Sequence, residues 1–173
     1  MSDSSKKTYK MALGGILGAL AVISLFLATV LPTSRLSFYA LSSFFISIVV
    51  IETGIKAGWL FYISTSLLAV ILVPSKLEII PYVIFFGIYG IIKYHIEKIN
   101  KLIVEYILKF GYFNLCMAAA ILFISEVFAE SIKIQLPWWL IIAAFEVVFI
   151  VYDLVYTMFI AYYKDKLRKK LHL

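Results

Sequence analysis

The chain alternates long apolar runs with short polar interruptions, and six such runs can be read, over residues 9–31, 36–52, 55–73, 77–94, 102–128 and 137–163. An α-helix rises about 1.5 Å per residue and the hydrocarbon core of a bilayer is about 30 Å thick, so a helix of about twenty apolar residues crosses it. Each run meets or approaches that length. The second is near the short limit and is expected to stand upright or to re-enter partway. Breakers fall where helices must stop: Pro32 after the first run, Thr53-Gly54 after the second and Pro74 after the third. Proline has no backbone N–H and clashes with the preceding turn, so it ends a helix. The pattern predicts an all-α integral membrane protein, a six-transmembrane-helix bundle in one domain, with a basic tail at 164–173. No linker, low-complexity stretch or convincing repeat interrupts it.

Composition agrees with the pattern. The chain is 64% hydrophobic with a mean hydropathy of +1.01. A soluble domain of 173 residues needs far more polar surface. The net charge of +6 would suit nucleic acid only if it lay along one face. It clusters at helix ends instead, where it reads as a topology signal and as contact with anionic membrane lipid. If the runs alternate in direction, Lys6, Lys7, Lys10, Lys56, Lys93, Lys98, Lys101, Lys164, Lys166, Arg168, Lys169 and Lys170 share one side. Arg35, Lys76 and Lys133 take the other. Positive charge stays cytoplasmic, so both termini are expected inside and the odd connections outside. The first run follows Lys6, Lys7 and Lys10 as a signal peptide would. It is longer than a signal's apolar core and no A-x-A site follows, so it is expected to remain as the first span. Trp138 and Trp139 at the outer start of the sixth run, with Tyr162 and Tyr163 at its inner end, fit an aromatic belt.

Polar residues inside the runs ask for a reason, because an ionised side chain at mid-bilayer costs about 2.5–3.5 kcal/mol on insertion scales. Glu146 and Asp153 lie seven residues apart on the sixth run and share a helix face. Asn114 and Glu126 lie roughly on one face of the fifth. The two runs follow each other closely and are expected to be antiparallel neighbours. An acidic, amide-bearing lining open to the outside would result. Arg35 and Lys76 are the cations on that side. Arg35 either clamps a ligand carboxylate or phosphate, or pairs with Glu126 or Glu146. Tyr82, Phe85, Phe86 and Tyr89 recur at helical spacing. They read as a packing stripe, or as a wall for a flat organic ligand with Tyr82 and Phe85 in the outer half. Three carboxylates against two cations lean towards a cationic or zwitterionic small molecule.

Other charges have local readings. Glu52 with Lys56, and Glu105 with Lys109, are expected as ion pairs four residues apart. Lys93 is expected to snorkel to the inner interface. Glu130 and Lys133 read as solvated loop residues. The lone cysteine, Cys116, reads as a small buried residue, and no metal or cofactor site is expected. The first run carries Gly14, Gly15, Gly18 and Ala19, two small-xxx-small pairs on adjoining strips. Such strips let another helix approach closely, whether a partner's or one of this chain.

Taken together, the chain resembles the substrate-binding S component of energy-coupling factor (ECF) transporters. The resemblance rests on six helices with both ends inside, on the stretch Ala12-Leu13-Gly14-Gly15-Ile16-Leu17-Gly18-Ala19-Leu20, and on the turn Thr53-Gly54-Ile55-Lys56-Ala57-Gly58. The family's small-residue face is usually alanine-rich, and glycines take most of those places here. The resemblance implies a bacterial plasma-membrane subunit that captures a micronutrient or vitamin from outside. Its pocket would be built from outer loops and helices four to six, here with Arg35, Lys76, Tyr82, Phe85, Asn114, Glu126, Glu146 and Asp153. Docking through Gly14, Gly15, Gly18 and Ala19 onto a transmembrane coupling subunit, energised by two ATPases, would deliver the cargo. The chain itself has no G-x-x-x-x-G-K-[ST] loop. Two other readings remain: a stand-alone proton-coupled carrier using Glu146 and Asp153, and an accessory membrane subunit. An enzyme is not expected. There is no H-E-x-x-H or G-x-S-x-G, and His95 and His172 both sit at inner, solvated ends.

Overall fold

The computed structural model describes residues 3–127 and 137–167, and every regular element among them is helical. α1 spans Asp3–Val30, α2 Arg35–Thr53, α3 Ile55–Leu72, α4 Gly87–Glu97, α5 Leu102–Val127 and α6 Trp138–Tyr162. Among the described residues six helical segments are long and apolar enough to cross a membrane, which makes this an all-α multi-pass membrane protein. The fourth crossing is longer than α4 itself. It opens with a 3-10 turn at Leu77–Ile79 and passes through a π-helical turn at Tyr82–Phe86. Pro81 lies between the two and cannot donate to the turn before it. The expected boundaries hold to within a few residues, except that α1 begins earlier, at Asp3. Contacts divide the transmembrane domain into two compact units, Met1–Lys98 and Ile99–Leu173.

In the first unit α1 packs on α2 and α3, and α2 packs on α4. A cluster at one end joins Leu25 and Ala28 of α1, Tyr39 of α2, Ala69 of α3, Val73, Ile79 and Tyr82. The α2–α3 connection takes almost no chain, and two glycines make that possible. Gly54 has φ 97° and ψ 170°, backbone that only glycine adopts without strain. Its N–H closes α2 on the Val50 carbonyl at 3.0 Å. One turn on, a Cβ at Gly58 would be driven into the Val50 side chain. The conspicuous Gly54/Gly58 turn therefore serves backbone geometry at one position and close helix approach at the other.

The second unit is an antiparallel pair, α5 and α6, joined through long side chains. Lys109 of α5 reaches Asp153 of α6, and Phe113 stacks on Phe149 with centroids 4.5 Å apart. Asn114 reaches Glu146. As α5 advances from 109 to 114, its partners on α6 fall from 153 to 146, so all three rungs belong to one register.

Candidate functional site

The rungs of the second unit lie at membrane depth. Lys109 is about 10 Å along α5 from Leu102, and Asn114 about 18 Å, at 1.5 Å per residue. Lys109 Nζ donates to Asp153 Oδ2 at 3.0 Å, and both side chains are buried. Thr157 Oγ1 donates to the Asp153 carbonyl at 2.8 Å. The Lys109 ammonium also lies 5.9 Å from the centre of the Tyr106 ring. A small cleft beside the pair is walled by Phe110, Phe149, Ile150 and Leu154. The expected Glu105–Lys109 pair is thus corrected: Lys109 crosses to α6. Asp153 is held deep in the apolar run, so an unmatched charge there costs more than one at Glu105 near the helix start.

The second polar rung has different chemistry. Asn114 Nδ2 donates to the Phe110 carbonyl at 2.9 Å and to Glu146 Oε1 at 2.6 Å. The other carboxylate oxygen, Glu146 Oε2, is buried and has no hydrogen-bond partner. A turn away on either helix stand Gly111, Ala118 and Ala143. A Cβ at Gly111 would meet open space. Small residues thus flank, along both helices, a carboxylate held by one neutral amide.

In the first unit most of the anticipated ligand residues serve internal contacts. Arg35 Nη2 lies 2.9 Å from Glu78 Oε1, a partner within its own unit that neither expected reading named. Tyr39 Oη donates to the Glu78 carbonyl at 2.6 Å and steadies that segment. Glu78 was not singled out in the sequence. The available signal was that charge bias puts it on the same side as Arg35. Lys76 Nζ donates to the carbonyls of Val70 and Val73, the latter at 2.9 Å, and so caps α3. Tyr82 is wholly buried and shares a 2.7 Å hydrogen bond with Thr65. Tyr62 Oη donates to the Val83 carbonyl inside the π turn at 2.7 Å. Phe85 is half-buried against Phe86 and Tyr89. The aromatic stripe of the fourth crossing therefore packs, as the first of its two readings had it.

Two inner-side expectations also change. Lys93 does not snorkel: it is 0% exposed, with Nζ 2.7 Å from Glu97 Oε1. An acidic partner one turn on lets the ammonium stay inside. Lys56 is exposed, and no ion pair joins it to Glu52 among the described residues. The small-residue face of α1 divides in two. Gly18 is buried, with its Cβ direction 3.6 Å from Phe61 and 3.8 Å from Thr65 of α3. Gly14 is half-buried, while Gly15 and Ala19 lie exposed. Cys116 is buried, as expected of a small core residue. In the aromatic belt, Trp139 and Tyr162 are exposed and Tyr163 is buried. The side chains of Glu126 and Trp138, and the whole of Glu130, Lys133 and the tail from Arg168, lie outside the described residues. Compared with known proteins, the chain matches no family model, no curated protein and no solved structure.

Proposed function

We propose that the chain is the substrate-capturing membrane subunit of an ECF-type uptake transporter, taking a micronutrient or vitamin from the outer side of a bacterial plasma membrane. The observation that carries this reading is the Asn114–Glu146 rung. A carboxylate at mid-membrane with one oxygen buried and unpartnered, beside small residues, is the kind of sparse polar group that orients a ligand in apolar surroundings. Lys76, Tyr82 and Asp153 are engaged in contacts within the protein and Arg35 is paired with Glu78, so among the described residues the reading rests on Asn114 and Glu146. The exposed Gly15–Ala19 strip supports docking on a transmembrane coupling subunit, because small residues admit a second helix at close range. Energy then comes from that subunit and its two ATPases.

The test separates capture from delivery. Gly15→Leu adds bulk where nothing among the described residues of its unit stands within 4 Å. It is expected to leave a co-purified small molecule in place while lowering uptake by the assembled transporter at least about tenfold, the equivalent of 1.4 kcal/mol of lost association. Unchanged uptake removes the docking strip. pH-driven flux through liposomes holding this chain alone would replace the reading with a stand-alone carrier.

A further inference from the structure

We infer that the small molecule held at the Asn114–Glu146 rung is a cation, with a protonated amine or similar nitrogen cation seated against Glu146 Oε2. The inference rests on the capture reading and goes beyond it to the charge of the cargo. It follows from a hydrogen-bond inventory. The Asn114 amide has two N–H donors, and both are committed, one to the Phe110 carbonyl and one to Glu146 Oε1. Both partners are acceptors, so the amide has only one orientation that fits. What remains on the rung is Asn114 Oδ1 and the enclosed Glu146 Oε2, two acceptors of which the second has no partner. A ligand group placed there must donate.

Charge sets its sign. Asp153 is offset by Lys109, but among the described residues Glu146 has only a neutral amide. An anionic cargo would need a free cation at this depth or on the outer side. Among the described residues, Lys109 is on Asp153, Lys76 is on two backbone carbonyls, and Arg35, whose Nε is buried and unpartnered, has its charge offset by Glu78. A bare metal ion fits less well. Magnesium and calcium take six or more oxygens, whereas the rung offers one carboxylate and one amide. Among the described residues no group of three His, Cys, Asp or Glu side chains could hold a metal. An organic ammonium needs only one or two acceptors and one negative charge.

The experiment purifies the full chain from its native membrane in mild detergent. The protein is then denatured and the released small molecules are identified by mass spectrometry, for wild type and for Glu146→Gln. Glutamine keeps the size of the side chain and an oxygen for Asn114 but removes the charge. The expected result is a released compound with a basic or quaternary nitrogen, at least tenfold depleted in Glu146→Gln. A compound without such a nitrogen overturns the inference and leaves capture standing. Wild-type occupancy in Glu146→Gln, shown monodisperse by size exclusion, also overturns it. No released compound from wild type removes the capture reading, and the inference with it. Should Glu146→Gln fail to fold, the identity of the wild-type compound decides alone.

Discussion

Gly58 shows how a single position governs the first unit. The turn Thr53-Gly54-Ile55-Lys56-Ala57-Gly58 stood out in the sequence, but the division of labour between its glycines did not. Gly54 is required by φ 97°, and Gly58 by the Val50 side chain that a methyl group would strike. Gly58→Ala is therefore expected to lower stability by about 1–3 kcal/mol, the usual range for overpacking a closed contact. Adding Val50→Ala should recover much of the loss. Thermal unfolding in detergent reads both, and a single variant as stable as wild type would mean that α2 and α3 are not so close there. Arg35 gives the converse lesson. Its charge was visible, but its partner Glu78 was found only when the chain folded back. That pair is partly exposed and contributes at most about 1 kcal/mol, so its main role is to occupy Arg35.

At the scale of elements, α5 and α6 are specified by their polar rungs. Without water to drive apolar faces together, helices in lipid associate through packing and hydrogen bonds, and polar partners set the register. Lys109–Asp153 and Asn114–Glu146 bracket the stacked Phe113 and Phe149. Breaking a buried pair by removing one charge is strongly destabilising, by about 3–5 kcal/mol, whereas replacing both partners with apolar side chains is often neutral or better. Asp153→Leu alone should thus unfold the hairpin readily, and Lys109→Met with Asp153→Leu should restore most of the stability. The double variant should also keep any cargo, since neither residue is assigned to it. Equal effects of the single and double changes would show that Lys109 and Asp153 act apart. The sequence made these helices antiparallel neighbours and put acids on facing sides. It gave Lys109 the nearer Glu105, because local spacing is all a sequence displays, and the rung across the pair appears only once the register is known.

For the whole molecule, the decisive quantity is the asymmetry of lysine and arginine between the two membrane faces. By that asymmetry the Pro32–Ser34 turn is expected outside and the segment after α4 inside. With the sole cysteine, Cys116, replaced by alanine, a cysteine at Ser34 should react with an impermeant thiol reagent added outside intact cells. A cysteine at Lys98 should react only after the membrane is opened. The opposite pattern would invert every assignment of outer and inner residues, and with it the side from which Glu146 is reached. The six crossings themselves follow from apolar length, and their observed ends fall near the breakers that the sequence displays.

Sequence alone determined what depends on local length and sign: six helices, where they stop, and which ends carry the positive charge. These follow because a backbone in hydrocarbon must satisfy its own hydrogen bonds, which leaves a long apolar run little choice but a helix. The tertiary structure decided which charges cancel. It put Arg35 on Glu78, Lys93 on Glu97 and Lys109 on Asp153, turned Gly18 inward, and set Asn114 against Glu146. Partners across helices depend on register and rotation, which arise from packing between segments distant in the chain.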